Sequence, residues 1–210
     1  MNIFHKLFQD KFITFFEVTD NFNKEFSSHI YSIKNQSGAK ANKLLVGEII
    51  NEFYIDSNVI NQFYLNTFFD IIKIHIQKQV ELLMNSNLHD FNIKILSAWL
   101  NVMNKHEFNP IHTHEKNDLN FVYWMNDFDS SKEISVSRDI KTPMFDVKTQ
   151  KMISNRTVKG SHTLIRNNEY VSITPQKNFG IIYDHDLIHQ VYPFDVHEKR
   201  ESFVMNLKIT

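Results

Sequence analysis

The chain has no cysteine, only four glycines and four prolines, and a formal net charge of −1. Without cysteine there is no disulfide, no zinc-thiolate site and no thiol nucleophile, so a small secreted fold stapled by disulfides is excluded. The near-zero charge offers no broad electrostatic pull toward nucleic acid or an anionic membrane, and neither is expected as a partner. No uninterrupted apolar run reaches the roughly 20 residues that a membrane-spanning helix needs. Lys6, Asp10 and Lys11 break the N-terminal stretch before a signal-peptide core forms, so the expected location is the cytoplasm. The scarcity of Gly and Pro, beside abundant Phe, Ile, Asn and Lys, reads as an AT-rich coding bias and carries no functional weight.

What remains is sufficient for a core. Over 210 residues, 42% hydrophobic against 22% charged is the profile of one globular domain. Residues 12–18 are β-prone and read as an opening strand. Thr19 or Asp20 caps a helix that carries Phe22, Phe26, Ile30 and Ile33 on one side and stops at Ser37-Gly38. A short strand is expected around 44–50. From Ser57 to about Met84, Ile60, Tyr64, Phe68, Ile72 and Ile76 recur every four residues, the stripe of a long helix laid across a sheet. His75 lies within it and is assigned no role.

Beyond residue 87 the character changes to short segments of strand composition, at 93–103, 120–125, 133–137, 162–166, 170–174, 180–183 and 202–209. Turn-like pairs such as Asn167-Asn168 separate them. The polar stretch 127–159 reads as a long loop carrying a short hairpin. Helices followed by many strands predict an α+β single domain over 1–210. Residues 1–90 would be mainly helical support, and 91–210 a double-stranded β-helix of jelly-roll or cupin-like type forming the catalytic core.

The chemistry concentrates between Trp99 and Asn126. His112 and His114 stand two residues apart, and in a strand that spacing puts both on one face about 6–7 Å apart, where they can converge on one ion. A distant His189 and a downstream Arg200-Glu201-Ser202 supply the remaining parts of a non-haem iron site that also binds a dicarboxylate. In a chain with 11 histidines a lone His-x-His is a weak signal, because most histidines are surface or loop residues. His185 is the rival to His189 and reads as a solvated turn residue, while His106, His162 and His197 read as structural. Arg200 alone would read as half of a surface ion pair with Glu198 or Glu201.

Taken in order, the motifs are Trp99-x-Asn101, Asn109-Pro110-x-His112-x-His114, Val122-Tyr123-Trp124-Met125, Pro175-x-x-x-x-Gly180, His189-x-Val191-x-Pro193 and Arg200-x-Ser202. Together they resemble the 2-oxoglutarate/Fe(II) oxygenase family, relatives of the prolyl hydroxylases with a branch of about this chain length in marine bacteria and their phages. The resemblance spans 99–207. It implies a non-haem dioxygenase that uses Fe(II), 2-oxoglutarate and O2 to hydroxylate a small molecule or peptide, with release of succinate and CO2. In that superfamily a His-x-Asp/Glu pair and a distal His hold the iron. Carried over, His112 is the first ligand and His189 the distal one. Position 114, a carboxylate elsewhere, is a histidine in this chain, with Glu115 and Asp118 nearby as substitutes. Arg200 matches the basic residue that grips the far carboxylate of 2-oxoglutarate through paired hydrogen bonds, and Ser202 on the same strand face adds another. Trp124 stands where prolyl hydroxylases carry a second tyrosine. Asn101 and Tyr123 complete the expected cofactor-binding set, although Tyr123 faces the other side of its strand if Trp124 faces the cosubstrate. The rival readings are a cupin-like sugar epimerase or isomerase with a histidine base, and a jelly-roll binding protein whose metal site has decayed. A homodimer is compatible with the sequence.

Overall fold

Thirteen strands and two α-helices make up residues 1–37, 49–84, 91–128 and 141–210, the parts of the chain that the computed structural model describes. In chain order they are β1 (Asn2–Phe8), β2 (Lys11–Glu17), α1 (Asp20–Ser37), β3 (Glu52–Tyr54), α2 (Gln62–Met84), β4 (Ile93–Met103), β5 (Asn109–His112) and β6 (Leu119–Trp124). There follow β7 (Lys141–Asp146), β8 (Lys151–Thr157), β9 (His162–Arg166), β10 (Glu169–Ile173), β11 (Phe179–Asp184), β12 (Ile188–Val191) and β13 (Arg200–Ile209). Among the described residues they form a seven-stranded sheet, β1-β2-β11-β6-β13-β4-β3, and a six-stranded sheet, β5-β12-β9-β10-β7-β8. Pairing is antiparallel except between β10 and β7. This is a double-stranded β-helix with the two helices laid on the outer face of the larger sheet.

Alternation along the strands separates two cores. On β6, Phe121 and Tyr123 face the helices together with Phe16, Phe203 and Met205, while Val122 and Trp124 face the smaller sheet with Phe15, Ile181, Tyr183 and Val204. The helices answer with Phe26, Ile30, Phe68 and Ile72, all fully buried. Phe26 meets Phe68 and Phe203 edge-on, each at 5.1 Å between ring centres. Each such aromatic contributes about 1.5–3 kcal/mol from burial alone. Gly180 of β11 is required by a close approach, since a Cβ there would lie 2.2 Å from the Phe16 ring and 2.6 Å from the Val122 carbonyl oxygen.

The helix with stripe Phe22–Ile33 is α1, and its start is set by Thr19, whose hydroxyl accepts from Phe22 N at 3.2 Å. The second helix begins at Gln62 rather than at Ser57. Asp56 accepts from Asn58 N at 2.9 Å and holds residues 57–59 in a 3-10 turn first. Strands expected at 93–103 and 162–166 coincide with β4 and β9. Asn167 and Asn168 both adopt left-handed φ angles (49° and 65°), joining β9 to β10 in a two-residue hairpin. The hairpin expected within 127–159 is β7 with β8. Expected strand segments at 44–48 and 133–137 lie outside the described residues. Four strands were not anticipated: β1, β3, β5 and β12. Among the described residues, no helix is long and apolar enough to cross a membrane.

Candidate metal centre

Strands β5 and β12 are neighbours in the smaller sheet, with His189 directly opposite His112. The register slips between His189 and Val191, so β5 carries one extra residue in the Pro110-Ile111 segment. Proline has no N–H to lose from a ladder, which suits it to such a bulge. His114 lies just past the end of β5, not within a strand, yet its ring still turns toward the other two. Ring centres are 4.1 Å apart for His112 and His189, 5.1 Å for His112 and His114, and 5.0 Å for His114 and His189. One nitrogen from each lies within 4.8 Å of the others, a group able to hold a metal ion.

Two of the three rings are oriented by backbone carbonyls. His112 Nδ1 is 2.7 Å from Pro110 O and His189 Nδ1 is 3.1 Å from Leu187 O. A carbonyl only accepts, so in each case Nδ1–H donates and Nε2 is left bare. Burial pushes all three pKa values below the ordinary imidazole range. For His114 burial and then the neighbouring His112 and His185 take it to about 4, and for His189 burial and then the other histidines drive it far down. Neutral imidazoles at pH 7 bind a cation without first losing a proton. The carboxylates weighed as substitutes are engaged elsewhere. Asp118 accepts from Lys208 Nζ and Ile209 N, both at 2.7 Å, and Glu115 is exposed.

The same cavity extends along β13, whose inward residues include Arg200, Ser202 and Val204. Ser202 stands opposite both Asn101 of β4 and Trp124 of β6, so these three sequence-predicted residues form one row across the sheet. Arg200 is 2% exposed, which rules out the surface ion pair. Its Nη1 faces Met103 Sδ at 3.4 Å, while Nε and Nη2 are buried with no hydrogen-bond partner among the described residues. Burial, opposed by the nearby Tyr183, brings its pKa down to about 9, still protonated at neutral pH. A buried cation without a counter-ion is costly, and a carboxylate gripped in two places is what its open nitrogens fit. Trp124 Nε1 and Asn101 Oδ1 are likewise buried and unpartnered among the described residues.

Tyr123 is a correction. It points to the opposite face of β6, where its hydroxyl donates to Asn23 Oδ1 of α1 and its ring packs against Phe16 and Phe26. Adjacent residues of a strand face opposite ways, so Trp124 facing the smaller sheet turns Tyr123 toward the helices. His162, read from sequence as structural, lies in the cavity wall. It is 3% exposed, its Nε2 is 3.2 Å from the Tyr183 hydroxyl, and its ring stacks on His189 at 5.7 Å. Burial, then Arg200 and His112, hold it well below its usual pKa. No sequence spacing ties His162 or Tyr183 to the triad. They arrive because β9 pairs with β12, with His162 opposite Val191, and because β11 supplies the inward face beside β6. His185 is outside the cluster, half-buried with Nδ1 3.3 Å from Asp118 O.

A family model described as "Putative 2OG-Fe(II) oxygenase" (2OG, 2-oxoglutarate) matches residues 97–206, just over half of the chain. No curated protein matches. Among solved structures, a prolyl-4-hydroxylase from Pseudomonas putida superposes with TM-score 0.54 at 9% identity, covering 93% of this chain and 91% of that one. A prolyl hydroxylase from Trichoplax adhaerens, solved with a peptide fragment of the hypoxia inducible factor oxygen degradation domain, gives 0.57 at 11% identity over 93% and 83%. A 2OG-Fe(II) oxygenase family oxidoreductase from Burkholderia pseudomallei gives 0.52 at 10% over 93% and 85%. At such identities the structural likeness speaks for the fold, and the family match for the chemistry. The chain belongs to the 2-oxoglutarate/Fe(II) oxygenase family and is a 2-oxoglutarate-dependent dioxygenase with Fe(II) as its metal.

Proposed function

We propose that the protein is a hydroxylase in which His112, His114 and His189 hold Fe(II) and Arg200 holds the far carboxylate of 2-oxoglutarate. The observation that carries this reading is the guanidinium of Arg200, buried with two nitrogens unpartnered among the described residues, in the same cavity as three converging imidazoles. The iron supplies oxygen activation coupled to decarboxylation, so that R–H, O2 and 2-oxoglutarate become R–OH, succinate and CO2.

The chain's own groups do the rest. Ser202 and Trp124 Nε1, in one row beside Arg200, offer further donors toward the cosubstrate, and Asn101 offers an amide. The apolar lining of Trp99, Met103, Val122, Val191 and Val204 keeps the interior dry, which strengthens each charge-assisted bond inside it. A broad groove between the start of β4, residues 113–117 and the end of β13 reaches the cluster at His114, opposite the Arg200 end, and is the route for substrate. The epimerase and decayed-site readings leave without a purpose a buried arginine beside the triad whose charge has no partner among the described residues.

The test is succinate formation from 2-oxoglutarate by the purified protein with and without added Fe(II). Iron-dependent turnover above background is expected, and its abolition in His189→Ala. Normal turnover in His189→Ala would refute the assignment of ligands.

A further inference from the structure

The three imidazoles are not oriented alike. His112 and His189 each lean on the carbonyl two residues back, which fixes the proton on Nδ1. For His114 the group facing Nδ1 is the side-chain amide of Asn206, with Nδ2 at 3.3 Å. Asn206 reaches that place from β13, opposite Asn120 of β6 and Ser97 of β4. Immediately after it the register of β13 against β4 slips by one residue. Irregularities of this kind re-aim a side chain next to a site.

With Nδ2 toward the ring, Asn206 donates to His114 Nδ1, the ring proton is forced onto Nε2, and no lone pair is left for a metal. In the same orientation Asn206 Oδ1 is buried with no partner among the described residues, and a half-turn puts Nδ2 there instead, so the tautomer of His114 and not the number of partners separates the two orientations. An amide is nearly two-fold in shape, so a half-turn about its last torsion exchanges oxygen and nitrogen without changing the space filled. Oδ1 then accepts from Nδ1–H of His114 and Nε2 becomes bare, the state already imposed on the other two rings.

We propose that Asn206 presents its carbonyl oxygen to His114 Nδ1–H and thereby sets the tautomer that lets His114 serve as the third metal ligand. The proposal rests on the metal-site reading above. Asn206 is a positioning residue: it acts through His114, doing for that ring what Pro110 O and Leu187 O do for the other two. It also accounts for a histidine functioning at a position that is a carboxylate elsewhere in the superfamily, because a third imidazole needs an acceptor behind it.

The test uses the metal-free full chain labelled with 15N at histidine, with long-range 1H–15N spectra reading the tautomer of each ring near neutral pH, and Co(II) titration as the binding probe. Wild-type protein is expected to show His114 protonated on Nδ1. Asn206→Ala should mix the His114 tautomers and weaken Co(II) binding roughly 10–100-fold, the usual effect of losing a group that orients a ligand. Asn206→Asp, which can only accept, should keep the Nδ1–H tautomer and restore binding. A wild-type His114 carrying its proton on Nε2 overturns the proposal, and that reading needs no variant to fold. Unchanged tautomer and Co(II) affinity in Asn206→Ala, while His112→Ala loses binding, overturns the proposal alone. Unchanged Co(II) affinity in His112→Ala overturns the metal-site reading and the proposal with it.

Discussion

His189 stands directly across from His112 in the pairing of β12 with β5, and their rings meet at 4.1 Å. Two four-residue strands from distant parts of the chain therefore bring two of the three imidazoles together by their register. A slip of one residue in either would turn an imidazole to the opposite face, so the bulge at Pro110-Ile111 and the bracing of β12 by β9 are part of the site.

Truncating either partner of that pair removes a ligand from the proposed centre without touching the cores. His112→Ala and His189→Ala are both expected to abolish 2-oxoglutarate turnover, measured as succinate release, while the far-UV circular dichroism stays that of the wild type.

Arg200 is a buried charge without a counter-ion among the described residues, so it burdens the cosubstrate-free protein. Arg200→Met, close in length and apolar, should raise the stability of the free protein by roughly 1–4 kcal/mol, as replacing buried ionic groups with apolar ones often does. It should also raise the apparent KM for 2-oxoglutarate, and thermal melts should lose the rise in Tm that 2-oxoglutarate gives the wild type. Both are read by scanning fluorimetry and initial rates.

Glu52 of β3 is 1% exposed, sits opposite Asn101, and has Oε2 unpartnered among the described residues. Burial and then Glu107 push its pKa up to about 7 from 4.5. The folded state thus holds this proton more tightly than the unfolded chain does. Its contribution is full below pH 4.5, falls as pH rises, and is lost above about 7. Glu52→Gln should flatten that slope and stabilise the protein above pH 7 by roughly 1–3 kcal/mol, measured by urea unfolding across pH.

Phe68 of α2 is fully buried against Phe26, Phe121 and Tyr123, on the face of the larger sheet away from the cavity. Phe68→Ala should cost about 3–5 kcal/mol in denaturant unfolding. Co(II) affinity measured well below the unfolding transition should be unchanged, since the helices act on the opposite side of the sheet from the histidines.

Elements whose apolar pattern is strong were legible before any coordinates: the stripe of α2, the long β4, and the paired asparagines that turn β9 into β10. The strands that build the centre were not. Asn109-Pro-Ile-His112 and Ile188-His-Gln-Val191 are too short and polar to carry a period, and they are strands only because each pairs along its length with a neighbour. Motif order singled out His112, His114, His189 and Arg200, which the fold brings to one cavity. It did not single out His162 and Tyr183, since what brings them to Arg200 is sheet order, which no local spacing encodes. The preference for His114 over Asp118 in the proposed ligand set also rests on the structure, because Asp118 is occupied by the far end of β13.

The central claim is that three imidazoles and a buried guanidinium form one site for Fe(II) with 2-oxoglutarate. Anaerobic titration of the protein with Fe(II) and then 2-oxoglutarate, followed by visible absorption, tests it most directly. A metal-to-ligand charge-transfer band that saturates in the wild type and is absent in His112→Ala and His189→Ala is predicted. No band in the wild type, or an undiminished band in those two variants, would contradict it.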